Sequence, residues 1–409
     1  MKQSRNVPCR LCTQPTVPFL DLGSVPLPEE FRTPTRRNSP VKTYPLGLSY
    51  CRTCLHVQLT IPVDADPIYK QNYFYDYSVT ADGSKHWQKL AGEIIRKFRL
   101  TKSDLVVDVG SNTGSLLQRF REAGIRIYGV DPATKLTKIA VSNGIPTVND
   151  YMGIRVAEKL VRKTGQASII TCTNVFDHVS DLSETVKAVD ILLRPDGAFI
   201  IEVPYFYRLL TSISHIIYHQ QIDYMMVTPM VPFFHAHGMD IVDAREVPMH
   251  GGSLRLTIRR KGLQKPNANV AQLIAKEKRL YSKYTQALRS FSKAVYAQRD
   301  ALKKCVVQLG RTHKRIAAVG ASAKGITLLN YAGIGGKHIS YVTEKSPLKT
   351  GKYTPSGIPV VPDAKLLSDQ PDYAILLAWN FGTEVRKNLR KYTGRWIIPV
   401  PTLQHLPKK

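Results

Sequence analysis

The sequence predicts an α/β protein in which helix-covered parallel sheets follow a small cysteine-rich unit. Three observations predict it. Two Cys-x-x-Cys pairs, Cys9/Cys12 and Cys51/Cys54, open the 409-residue chain. The stretch Leu105–Phe120 passes from an apolar run through a glycine turn into a helical pattern, and a second apolar run, Ile127–Val130, ends in Asp131. Strand and helix patterns then alternate, give way to helical periodicity near 270–309, and resume around Gly320–Gly325.

The cysteine pairs come first. Each can set two thiolates on one tight turn, and two such turns complete a tetrahedral zinc site with no open position for chemistry. The 38 residues between the pairs suit a zinc ribbon with an inserted loop, Pro26 to Pro45. Disulfides are the rival reading, but nothing else in the chain points to an oxidising compartment. Cys172 and Cys305 read as ordinary core or half-buried residues.

Next comes a helix over Ser84–Phe98, with Trp87, Leu90, Ala91, Ile94 and Ile95 on one face. The glycine turn reads GxxxG (Gly110, Gly114), without the GxGxxG of a pyrophosphate-binding loop. A carboxylate on the next strand tip lies beside such a turn and can accept both hydroxyls of a ribose. A nucleoside without phosphates fits. S-adenosylmethionine is the expected ligand, with its ribose on Asp131 and its carboxylate on N–H groups near Gly110 and Asn112. An ordinary doubly wound domain without a ligand is the alternative.

The remaining elements follow the β/α order. Helices are expected at Thr134–Asn143, Gly153–Thr164 and Ser180–Leu193, and strands at Ile145–Val148, Ala167–Asn174 and Ala198–Val203. A final strand over Val247–Ile258 turns at Gly251-Gly252. Residues 270–309 read as a linking helix or helical hairpin stopped by Gly310. A smaller Rossmann-like domain then runs from Arg315–Val319 through Ile326–Tyr331, His338–Val342 and Pro359–Val361 to Tyr373–Leu377. Its loop Gly320–Gly325 has N–H donors and Lys324, the equipment for a phosphate, and equally reads as a close-packed βα turn. The expected boundaries are 1–70, a zinc-binding domain; 71–260, the larger α/β domain; 261–310, a helical linker; and 311–409, the C-terminal domain.

Composition bounds the rest. With 43% hydrophobic and 22% charged residues the chain is globular, and no apolar run reaches the roughly 18–20 residues of a membrane span. The start lacks the apolar segment of a signal peptide, so the expected location is cytoplasmic. Lys plus Arg number 58 against 31 Asp plus Glu, a formal charge of +27. That excess favours anionic partners, nucleic acid among them, but it is spread along the chain and reads equally as solvated surface.

Taken in order, the motifs resemble the sugar C-methyltransferases that act on nucleotide-linked 4-keto deoxysugars. The likeness runs through both cysteine pairs, Asn72–Tyr75, Asp108–Leu117, Asn174–His178, Tyr218-His219, His250–Arg255, Gly320–Gly325, Ser346–Lys349, Tyr353–Pro355 and Trp379-Asn380. It implies a zinc domain, a class I methyltransferase domain and a C-terminal domain that helps hold a nucleotide-diphosphate sugar, dTDP-linked. The family removes a proton beside a ketone so that the enolate attacks the donor methyl, which requires a base and oxyanion donors.

Carried over residue by residue, the resemblance implies a cofactor site at Asp108, Gly110, Asn112, Gly114, Asp131 and Asn174. It implies Tyr75, His178 and Tyr218 against the sugar, with Lys324 and Tyr353 binding substrate. Where the family has Tyr-His-Glu-His, this chain reads Tyr218-His219-Gln220-Gln221, and neither amide accepts a proton at ordinary pH. Three explanations compete. The base is His178 or His219; the substrate is a hydroxyl or amine that needs little base; or the fold persists without methyl transfer, in a binding or RNA-associated role. His235, His237 and His250 read as structural or surface residues.

Overall fold

The computed structural model describes residues 7–70, 73, 81–212, 217–249 and 251–406. Tyr75 and His250, singled out above, lie outside the described residues. Three sheets organise the described residues.

The first sheet is antiparallel, in the order Thr16–Pro26, Thr43–Cys51, Val57–Leu59, Asp223–Tyr224. Its last strand comes from far along the chain: Val57 pairs with Tyr224 and Gln58 with Asp223. Leu46, Leu48, Val57 and Leu59 are fully buried beneath it.

The second sheet has seven strands, ordered Met239–Val247, Ser253–Arg260, Leu193–Pro204, Ala167–Thr173, Leu105–Val109, Arg126–Val130, Thr147–Val148. The last five run parallel. Leu105–Val109 is buried along its whole length, as expected of a strand covered by helices on both faces. Ala81–Phe98 and Ser115–Glu122 cover one face, and Ile154–Thr164 and Leu182–Leu192 the other. The order reverses between Leu105–Val109 and Ala167–Thr173, and a crevice opens at such a switch point.

The third sheet is ordered Val360–Val361, Val342–Thr343, Ile316–Val319, Tyr373–Leu376, Arg395–Ile398, Gln404–Leu406. Its switch point lies beside Ile316–Val319, whose outgoing loop carries Lys324.

The structure departs from the sequence reading in three places. The single strand expected at Val247–Ile258 is a hairpin of two strands, Met239–Val247 and Ser253–Arg260. Gly251 (φ +87°) and Gly252 (φ +125°) make its turn in the left-handed region. The stretch 270–309, read as a linking helix or helical hairpin, is two helices, Ala268–Tyr281 and Tyr284–Arg311, but Gly310, expected as its stop, sits inside the last turn. The second helix ties the sheets together: Tyr284 Oη donates to the Leu55 carbonyl (2.8 Å), Tyr296 Oη to that of Asp21 (2.7 Å) and Gln298 Nε2 to that of Pro401 (2.8 Å). The expected strands at 145–148 and 338–342 shrink to Thr147–Val148 and Val342–Thr343. Among the described residues no helix is long and apolar enough to cross a membrane.

Candidate active site and metal centre

The two switch points face one cavity of about 850 Å³. From the seven-stranded sheet it is lined by Asp108–Thr113, Asp131 and Asn174, and from the third sheet by Ser322–Lys324 and Leu377–Phe381. The N-terminal part contributes Glu29, Asp64–Pro67 and Tyr69, and Tyr218 and Gln220 also line the wall.

The glycine turn is shaped by close packing. A Cβ on Gly110 (φ +73°) would meet Val175 at 2.3 Å, and one on Gly114 (φ +83°) would meet Ile145 at 2.8 Å, so neither tolerates a side chain. Asp131 accepts the Asn112 N–H at Oδ2 and the Ala133 N–H at Oδ1, both at 2.8 Å. Each oxygen keeps acceptor capacity for a ligand hydroxyl. Burial pushes the Asp131 carboxyl up, and the two N–H groups partly offset this. The turn's N–H groups, expected to meet the ligand's carboxylate, have partners within the protein. The Gly110 N–H donates to the Val130 carbonyl (2.7 Å) and the Asn112 N–H to Asp131, so both are committed within the protein.

Asp108 is buried against the Thr171 hydroxyl (2.6 Å), and burial raises it to about 7. Asn174, in the left-handed region at φ +56°, presents a buried Oδ1 with no hydrogen-bond partner among the described residues. An unpaired buried acceptor on a cavity wall is suited to a ligand's donor.

Residues 218–221 alternate about the wall. Tyr218 and Gln220 line the cavity; His219 and Gln221 do not. The His219 ring turns away, its Nε2 3.2 Å from the Tyr44 carbonyl, so it is not placed to act as a base in this cavity. Gln221 is buried with Nε2 3.5 Å from the Asp223 carbonyl. His178 does line the cavity, packs edge-on against Tyr218 at 6.2 Å, and is held neutral by burial and the nearby Lys324, down to about 3. Lys324 stands with Nζ 5.6 Å from the Tyr218 ring centroid. Tyr353 is absent from the cavity wall: its main chain pairs with Arg32, in the N-terminal part. Sequence reasoning passed over Tyr69 and Asp177, which flank His178, and Glu29. A tyrosine ending a five-residue helix and an aspartate beside a histidine carry no pattern of their own.

The four cysteines converge as expected. Their Sγ atoms lie within 4.8 Å of one another and none is in a disulfide. The Sγ contacts of 3.4–3.5 Å are near the edge of a tetrahedron built on Zn–S bonds of about 2.3 Å. The knuckle is wired to the cavity wall. Arg10, between Cys9 and Cys12, donates from Nε to both oxygens of the buried Asp223 (3.1 and 3.0 Å) and from Nη1 to the Ser180 carbonyl (2.9 Å). His56 Nε2 meets the same carboxylate at 2.8 Å. The segment carrying Tyr218 and Gln220 is thereby anchored on the zinc unit. Cys51→Ser should therefore lower the zinc content, reduce the melting temperature and expose the 218–224 segment to protease. A variant with unchanged melting temperature and protease pattern would show the metal to be dispensable for the wall.

Comparison with known proteins bears on all three parts. Residues 9–69 match a zinc binding domain family, residues 85–241 a methyltransferase domain, and residues 248–401 a C-methyltransferase C-terminal domain. C-methyltransferase NovU of Streptomyces niveus is 30% identical over 402 residues, covering 96% of this chain and 95% of that protein. A ubiquinone biosynthesis O-methyltransferase of Bordetella avium (strain 197N) is 32% identical over 112 residues, 27% of this chain and 44% of that protein. Among solved structures, magnesium protoporphyrin IX methyltransferase (ChlM) from Synechocystis PCC 6803 with bound SAH aligns at a TM-score of 0.35 with 15% identity, over 46% of this chain and 90% of that one.

Proposed function

The chain belongs to the C-methyltransferase family that includes NovU, and from that membership we propose that it methylates a ring carbon of a nucleotide-diphosphate keto-deoxysugar. It is an S-adenosylmethionine-dependent methyltransferase with a zinc-binding N-terminal domain. The observation that carries the substrate reading is the shared cavity: the switch points of two α/β sheets open into one space, room for a nucleoside donor and a nucleotide sugar side by side.

In this reading Asp131 holds the donor's ribose hydroxyls, Asp108 and Asn174 meet its amino acid end, and Gly110 and Gly114 keep the turn close. The donor supplies an electrophilic methyl on sulfur. Tyr218 and Gln220 border the sugar, and Lys324 faces its diphosphate from the C-terminal domain. The nucleotide is taken to be dTDP.

Titration calorimetry with S-adenosylmethionine, followed by incubation with dTDP-linked keto-deoxysugars and a ¹³C-labelled methyl donor, tests this. Binding and a new carbon-bound methyl in the product's NMR spectrum are expected. Label on oxygen or nitrogen, or binding with no transfer to any keto-sugar nucleotide, would overturn it.

A further inference from the structure

The amides at 220 and 221 leave carbon methylation without an evident proton acceptor, yet one wall of the cavity supplies a candidate. Tyr69 lines the cavity, and its hydroxyl lies 3.1 Å from Nδ1 of His178 and 3.4 Å from the main-chain oxygen of Gln220. Across the imidazole, Nε2 lies 3.5 Å from Oδ2 of Asp177. Asp177 is fully buried, and neither carboxylate oxygen has a hydrogen-bond partner among the described residues. A carboxylate kept in that state beside a histidine needs a reason, because desolvation opposes its charge. Such contacts are often long until substrate tightens them.

We propose that Tyr69, His178 and Asp177 form the proton-accepting chain of this site, with Tyr69 the group that meets the substrate. This inference rests on the carbon-methylation reading above. The C–H bond beside the ketone breaks, and its electron pair stays on the substrate as the enolate. The proton goes to the Tyr69 oxygen while the Tyr69 hydroxyl proton passes to Nδ1 of His178. The imidazolium keeps its other proton on Nε2, and the Asp177 carboxylate balances the charge. Tyr69 and His178 are catalytic; Asp177 is a positioning residue.

The chain has two arrangements. With Asp177 protonated, its O–H donates to Nε2, Nδ1–H donates to Tyr69, and Tyr69 donates to the Gln220 carbonyl. Every position is then filled and no proton can enter. With Asp177 ionised, the ring proton sits on Nε2, Nδ1 is a bare acceptor, and Tyr69 donates to it. Burial raises Asp177 to about 8, so the accepting form gains as pH rises through that value. The groups facing Asp177 are His178, Lys324, Asp223, Tyr69, Tyr218, Tyr224 and Cys172. Lys324, itself lowered by burial to about 7, is neutral in the same range.

Nitrogen NMR of the zinc-loaded full chain labelled with ¹⁵N-histidine, with His178→Asn for assignment, tests the chain without any substrate. The expected result is that the His178 proton moves from Nδ1 to Nε2 as pH rises through about 8, and that Asp177→Asn abolishes the move. One tautomer throughout that range would overturn the proposal. With a dTDP-linked keto-deoxyglucose as probe, Tyr69→Phe should lose ~10²–10⁴-fold in methyl transfer while its affinity for S-adenosylmethionine stays unchanged. Asp177→Asn should also lose the alkaline rise in rate, which a merely structural role would leave in place. Tyr69→Phe at near wild-type rate would overturn the chain. Failure of the wild type on every keto-sugar nucleotide would count against the substrate reading alone, and the tautomer measurement would then decide the chain.

Discussion

Asp131→Ala is expected to abolish measurable binding of S-adenosylmethionine. A hydrogen bond to a charged group contributes ~1.5–3 kcal/mol, so two ribose hydroxyls on one carboxylate account for ~3–6 kcal/mol, or roughly 10²–10⁴ in Kd. The same substitution strips the Asn112 and Ala133 N–H groups of their acceptor and loosens the turn that shapes the pocket. Asp131→Asn should fare little better: its amide nitrogen must face one of those two N–H groups, donor against donor. The pH dependence has a definite sign. Burial raises the Asp131 pKa, so affinity is full while the carboxylate is ionised and falls as pH drops through a value above that of a surface aspartate. Calorimetry on the wild type and both variants checks this. An alanine variant within threefold of wild type would put the ribose elsewhere.

The parts of this site that were legible in the sequence are those where a local pattern and a chemical need coincide. The run Leu105–Val109 is continuously apolar because helices cover both faces of its strand, and the turn after it must be glycine-rich because Val175 and Ile145 pack where Cβ atoms would go. The cysteine spacing likewise follows from thiolate geometry on tight turns. The hairpin strand Met239–Val247 was missed because its alternation is broken by a charge: Asp243 is nearly buried, balanced by Lys97 and Asn267. His219 and Gln221 drew attention through the family motif, yet which side of a short segment faces a cavity depends on packing against Tyr44 and on the strand pairing of Asp223–Tyr224. Tyr353 belongs to the same class, since its pairing with Arg32 spans more than three hundred residues of sequence. Tyr69 and Asp177 acquire meaning only once three segments meet around His178, and no spacing rule anticipates that.

Lys324→Met is expected to weaken binding of dTDP while stabilising the free protein below neutral pH. Burial lowers the Lys324 amine to about 7, with Asp177 acting in the opposite direction. A folded pKa below the unfolded one disfavours the native state. That cost is present in full below about 7, shrinks as pH rises, and vanishes once the unfolded lysine has also lost its proton. A methionine of similar length carries no such cost. For the ligand the sign reverses. A diphosphate beside the amine favours the ammonium form, so binding above about pH 7 must draw a proton from solvent, and affinity must fall as pH climbs through that range. Asp177, raised to about 8, adds to the same fall when it ionises, and the Lys324→Met comparison isolates the amine from it. Calorimetry of dTDP near pH 8 in buffers of different ionisation heat should show uptake of close to one proton by the wild type and little by the variant. The affinity loss at lower pH should be ~1.5–3 kcal/mol, roughly 10–100-fold. An amine that merely capped a packed βα turn would give no proton uptake and no loss of affinity, because its charge would never meet the phosphates.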